Sequence, residues 1–224
     1  MNNIRIILLV TALYSVSATG IDEEFPPRIL LIRHGEKDAK SKYGEIHLNQ
    51  RGQIRAAALA ELFFSNVSDS FRIETNLTLP RIDTVVAQAS TNRHPSRRKI
   101  ETAEPIAEAG SVPLKLFDHE DISGLCEFLK TEHAANRTTL VVWDHSTISY
   151  IANDLLGIDR GTVRWPMDRY DVIWEVDIRE LVLQQYCQHL LFGDLWCPLN
   201  PIQVFPMTNE FLNSLRQRYS PVVA

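Results

Sequence analysis

Short apolar runs rich in β-branched residues alternate along this chain with longer stretches rich in Ala and Leu, and no other feature limits the fold as much. Ile29 to Ile32, Ile82 to Ala87 and Thr139 to Trp143 read as strands buried on both faces. Gln50 to Phe64, Ser96 to Ala109, Ile122 to Glu132 and Thr147 to Leu156 read as helices, with Ser96 standing where an N-cap is wanted. Leu114 to Phe117 suits a short strand, and Val172 to Val176 and Leu181 to Leu191 are later strand candidates. Strands separated by helices predict an α/β fold with a mostly parallel sheet covered on both sides. In such sheets ligands bind outside the carboxyl ends of the strands. The charged residues that follow each strand are therefore the ones to weigh.

Three strand ends stand out. The first runs directly into Arg33-His34-Gly35-Glu36, where Gly35 would let the backbone turn tightly. The second is followed by a polar loop and then His94-Pro95-Ser96-Arg97-Arg98, which puts Arg98 in the first turn of a helix, beside amide donors that favour an anion. The third leads into Asp144-His145-Ser146. Two arginines and two histidines thus converge, although an isolated Arg-His-Gly tripeptide is weak evidence. Arg97 is rotated one helical step from Arg98 and reads as a solvated charge.

That set of side chains suits a phosphate monoester. Planar guanidinium forks match the oxygens of the dianion, and a neutral imidazole is a competent nucleophile that forms a phosphohistidine for water to hydrolyse. The second histidine can donate to the transferring oxygens, and such positioning and charge stabilisation supply most of the work of phosphoryl transfer.

Ile29 to Glu36, Arg98 to Ala103 and Val141 to His145 together resemble the signatures of the histidine phosphatase superfamily, which includes phosphoglycerate mutases and acid phosphatases. Leu48, Gly52 and Ala56 resemble the family's segment between its first two motifs, so the likeness runs in order over most of the chain after residue 20. The resemblance implies a three-layer α/β/α sandwich of the phosphoglycerate mutase kind and the hydrolysis of phosphate monoesters without metal or cofactor. It implies His34 as the phosphorylated nucleophile, Arg33 and Arg98 as phosphate ligands and His145 as the second pocket histidine. A general acid is expected after the third strand, among Asp118, Glu120 and Asp121, with Glu120 ahead for its reach and Asp121 as the alternative. Ser146 stands where the larger acid phosphatase branch has Asp, and roughly 200 residues leave no room for that branch's extra helical domain. The smaller, mutase-like branch is the better match, yet the mutases' acidic motif is not present in clear form. Pro166 to Val176, with Asp168-Arg169-Tyr170-Asp171, resembles a subgroup whose substrate the likeness does not reveal. A mutase-like phosphotransferase and a non-catalytic phosphate-binding protein are the alternatives.

The first twenty residues differ from the rest. Arg5 precedes the apolar run Ile6 to Tyr14, and small residues cluster from Ser17 to Gly20, the layout of a secretory signal peptide with cleavage near Ala18 to Gly20. The run is shorter than the roughly 20 residues that a spanning helix needs. Sequons at Asn66, Asn76 and Asn136 agree with export, as does the pairing of Cys187 with Cys197 expected in an oxidising compartment, leaving Cys126 as a buried thiol. A net charge of -5 offers no footprint for nucleic acid or an anionic membrane surface. His47, His94 and His119 have no zinc spacing, Trp143, Trp174 and Trp196 read as core, and Trp165 is placed at the pocket rim.

Overall fold

Each central strand buries both faces, because alternate side chains point to opposite sides of the sheet and each side carries its own layer of helices. The computed structural model describes residues 27–38, 46–64 and 80–195, so the apolar N-terminal run, Asn66, Asn76, Trp196 and Cys197 lie outside the described residues. Six strands, β1 (Ile29–Arg33), β2 (Thr84–Gln88), β3 (Leu114–Phe117), β4 (Thr139–Trp143), β5 (Val172–Asp177) and β6 (Val182–Cys187), form one sheet in the order β3-β2-β4-β1-β5-β6. The first four are parallel, and β5 and β6 are antiparallel to their neighbours.

On one face Leu30, Ile32, Val85, Ala87, Leu140 and Val142 pack against α1 (Gln50–Phe64) and α2 (Arg98–Gly110), through Leu59, Phe63, Ala103 and Ile106. On the other, Leu31, Val86, Val141 and Trp143 meet α3 (Ile122–Ala134) and α4 (Ile148–Leu156), through Leu125, Leu129, Ile151 and Leu155. The architecture is the α/β/α sandwich that the alternation predicts. Full burial of one such Leu or Ile contributes roughly 1.5–3 kcal/mol, so the two layers are the main source of stability. Among the described residues no helix is long and apolar enough to cross a membrane.

Two elements differ from expectation. Helix α2 begins at Arg98, because the Arg97 amide donates to the Ile46 carbonyl at 2.8 Å and holds the chain out of the helix; Ser96 Oγ is buried without a partner among the described residues and caps nothing. Strand β6 stops at Cys187 instead of reaching Leu191, because Gln188 bonds Asp171 and the Leu190 and Leu191 amides turn to the Asp194 carboxylate.

The order also places the crevice. Neighbouring β1 and β4 feed α1 and α4, which lie on opposite faces of the sheet. Their carboxyl ends therefore form a switch point, where the departing chains diverge and where sheets of this kind bind ligands.

Candidate active site

Register brings the two histidine segments side by side. Arg33 pairs with Trp143, and the His34 amide extends the ladder by donating to the Trp143 carbonyl at 3.1 Å, so His34 leaves β1 where Asp144 and His145 leave β4. His34 is 2% exposed, and its Nδ1 lies 2.7 Å from the Gly35 carbonyl. A carbonyl only accepts, so Nδ1 carries the hydrogen and the Nε2 lone pair is left for attack. Burial pushes the imidazole well below its ordinary value, with Arg98, Arg33 and Lys99 adding to the effect against the bond to Gly35. The group is neutral at physiological pH.

The loop that carries it is held from two sides. A Cβ on Gly35 would lie 2.7 Å from the Gly52 carbonyl, and one on Gly52 would lie 2.4 Å from the Glu36 carbonyl, so these two glycines allow α1 to touch the loop. The tight-turn expectation for Gly35 is replaced by this close approach, since Gly35 is not among the residues with positive φ. Thr102 of α2 accepts from the Gly35 amide at 2.9 Å and donates to the Arg98 carbonyl. Behind the loop, Arg55 is 1% exposed and binds Glu36, Gln188 and Asp194, and Arg51 adds a second link between Glu36 and Asp194.

Arg33 is more constrained than a simple phosphate ligand. Its Nη1 donates to the Met167 and Arg169 carbonyls at 2.6 and 3.3 Å, and its Nη2 to the Tyr170 hydroxyl at 3.0 Å, with the guanidinium carbon 3.8 Å from the Tyr170 ring centroid. The Nε is buried without a partner among the described residues. The Nε–Nη2 edge is the face with hydrogens to offer an anion, and the segment 166–170 fixes its direction. Arg98 is half-buried and its charge bears on both Arg33 and His34. His145 is pushed down by burial and by Arg33, and its Nδ1 is likewise buried without a partner among the described residues. The structure thus brings Arg33, His34, Arg98 and His145 within electrostatic range of one another, with Arg33 acting on both histidines.

The acidic residues fall elsewhere. Glu120 is exposed and paired with Arg93 at 3.1 Å, with His94 3.9 Å away, so a role as general acid would require that surface pair to open. Asp121 is the N-cap of α3, accepting from the Gly124 amide at 2.9 Å, and Asp118 accepts from the Glu120 amide. The carboxylates whose charge acts on Arg33 and His145 are Asp144 and Asp168. Asp144 accepts from the Ser146 and Thr147 amides at 2.9 and 3.2 Å and from both hydroxyls; despite burial these bonds hold its carboxyl below the usual range. His119 Nδ1 reaches to 3.3 Å from Asp144 Oδ2, an ion-pair distance without hydrogen-bond alignment.

Two further side chains take roles that the sequence does not assign. Tyr170, six residues before the end of the apparent β5 run, locks Arg33, while Lys99 is 4% exposed beside Arg98. A lysine is solvated by default, so nothing in the sequence marks this one as buried. Trp165, expected at the rim, is instead core: 2% exposed, its ring tilted 57° against that of Trp174 with centroids 4.9 Å apart, and its amide donating to the Ser149 hydroxyl. Among the described residues no group of three or more His, Cys, Asp or Glu is gathered to hold a metal ion.

Arg97 is exposed and lies 4.0 Å from Glu101 on the solvent side, so the two adjacent arginines should differ sharply. Arg98→Ala is expected to lower kcat/KM by about 10² or more, the scale of a lost charge-stabilising donor, and Arg97→Ala by less than about threefold. Steady-state kinetics on an aryl phosphate decide this, and the reverse order would mean that the helix presents the other arginine.

No family model and no curated protein matches the chain. Among solved structures it is similar to the protein histidine phosphatase SixA complexed with tungstate, at 14% identity and a TM-score of 0.46 over 67% of this chain and 87% of that one. It is also similar to a mycobacterial glucosyl-3-phosphoglycerate phosphatase with inorganic phosphate, at 14% identity and 0.46 over 67% and 89%. The alpha-ribazole phosphatase from Shigella flexneri aligns at 17% identity and 0.40 over 70% and 89%.

Proposed function

We propose that this chain is a phosphatase of the histidine phosphatase kind that hydrolyses phosphate monoesters through a phosphohistidine on His34. The observation that carries the reading is the state of His34: buried, neutral and tautomerically fixed by Gly35, with Nε2 free at a strand end flanked by Arg33 and Arg98. Nε2 attacks phosphorus as the bond to the leaving oxygen breaks, and water then cleaves the P–N bond. The Nε–Nη2 edge of Arg33, together with Arg98, neutralises the equatorial oxygens, a task that metal ions perform in other phosphatases. The test is to quench the protein with radiolabelled aryl phosphate in the presence of a chelator. Label that survives alkali, is lost in acid and maps to His34 supports the reading; label on another residue, or none, rejects it.

We further propose that the protein is exported, on the strength of its N-terminal layout and three sequons. Asn136 lies in an exposed turn after α3, at φ 60°, which suits a glycan acceptor. Cys187, buried at the end of β6, and Cys197 are expected to be joined, adding roughly 2–4 kcal/mol. Peptide mapping of non-reduced protein from a secretory host checks this, and both recovered as free thiols would count against it.

A further inference from the structure

A buried cation beside the nucleophile has no assignment in the chemistry above. Lys99 follows Arg98 in the first turn of α2 and is 4% exposed, and its ammonium makes no hydrogen bond to a described residue. The charged groups around it come from three elements: Asp144 after β4, Arg98 on its own helix, and Lys37 after β1, while Lys99 itself bears on His34. Its charge therefore acts both on the nucleophile and on Asp144, in the turn that carries His145.

We propose that the Lys99 ammonium is the proton donor to the leaving-group oxygen, an inference that rests on the phosphohistidine reading. As His34 Nε2 bonds to phosphorus, the P–O pair returns to the departing oxygen, which takes a proton from Lys99 Nζ. The neutral amine then accepts a proton from the water that attacks phosphorus, and the P–N pair returns to Nε2, so both groups are restored.

The other groups are unsuited or occupied. Asp144 is held ionised by its turn donors, His145 is held neutral, Glu120 is paired with Arg93, and Asp121 caps α3. Burial, opposed by Asp144 and reinforced by Arg98 and Lys37, lowers Lys99 from 10.5 to about 8. It is protonated at neutral pH yet gives its proton up more readily than a solvated lysine, which suits a catalytic acid.

The experiment compares ethyl phosphate, whose alkoxide leaves poorly, with 2,4-dinitrophenyl phosphate, which needs little proton donation. Lys99→Met should lower kcat on ethyl phosphate by about 10² to 10⁴ more than it lowers kcat on the aryl ester. Lys99→Arg, which keeps the charge but holds its proton, should behave like Lys99→Met on ethyl phosphate. Wild-type kcat on ethyl phosphate should fall above a pH of about 8, and the residual rate of Lys99→Met should lack that limb. Equal losses on both esters with recovery in Lys99→Arg would make Lys99 an anion ligand and overturn the donor role. An ethyl phosphate rate unchanged in Lys99→Met, with His34 still labelled by the aryl ester, would reject Lys99 alone. Absence of label on His34 in the wild type would reject the phosphohistidine reading and this inference with it.

Discussion

His34→Ala is expected to abolish turnover, lowering kcat on any phosphate monoester by on the order of 10⁴ or more while the chain stays folded. His34 is the imidazole whose tautomer is fixed, by the Gly35 carbonyl at Nδ1, so that Nε2 keeps its lone pair for the covalent step. The pH profile carries the same claim. Burial depresses His34 well below 6.5, and attack needs the neutral ring, so the acid limb of kcat should lie well below pH 6.5. Steady-state rates of the wild type between pH 4 and 9 and of the variant at its optimum test both parts. A substantial residual rate would remove His34 as the nucleophile, and an acid limb at or above 6.5 would contradict its burial.

Arg55→Met should be the most destabilising single change, by about 3–5 kcal/mol, because it strands Glu36 and Asp194 beside each other without the buried cation that joins them. Thermal unfolding measures this, and a loss under 1 kcal/mol would show that the network relaxes freely. The same network predicts acid sensitivity. Burial alone would raise both carboxyls, but hydrogen bonds from Arg55, with further ones from Arg51 at Glu36 and from the Leu190 and Leu191 amides at Asp194, hold them below 4.5 and 3.8. Their contribution is therefore complete above those unfolded values and is lost as pH falls through the lower folded ones. In Arg55→Met this acid-dependent component should shrink, and activity should fall with it, since Glu36 directly follows the loop that carries His34 and Gly35.

Several site features were legible because they are local. An arginine and a histidine at the end of a continuous β-branched run can only project from a strand's carboxyl end, and the same holds for Asp144-His145 after Thr139–Trp143. Helical periodicity likewise separates Arg97 from Arg98. The acid was harder to read, because a cluster such as Asp118-His119-Glu120-Asp121 has several equivalent local uses, and one of them, the N-cap, claims Asp121.

What the sequence by itself determined is the layering and the ends of the strands, with Arg33, His34 and His145 leaving strands and Arg98 in the first turn of a helix, all consequences of periodicity and nearest neighbours along the chain. Only the tertiary structure decided that Gly35 and Gly52 meet, that Tyr170 and the 166–170 backbone lock Arg33, and that Trp165 is core. It alone placed Lys99 under cover beside His34 while leaving Glu120 at the surface. The physical reason is that burial and charge pairing are set by contacts between segments distant in the chain, as Arg33 and Tyr170 are, and a lysine or a carboxylate looks the same in sequence whether its neighbours are water or protein.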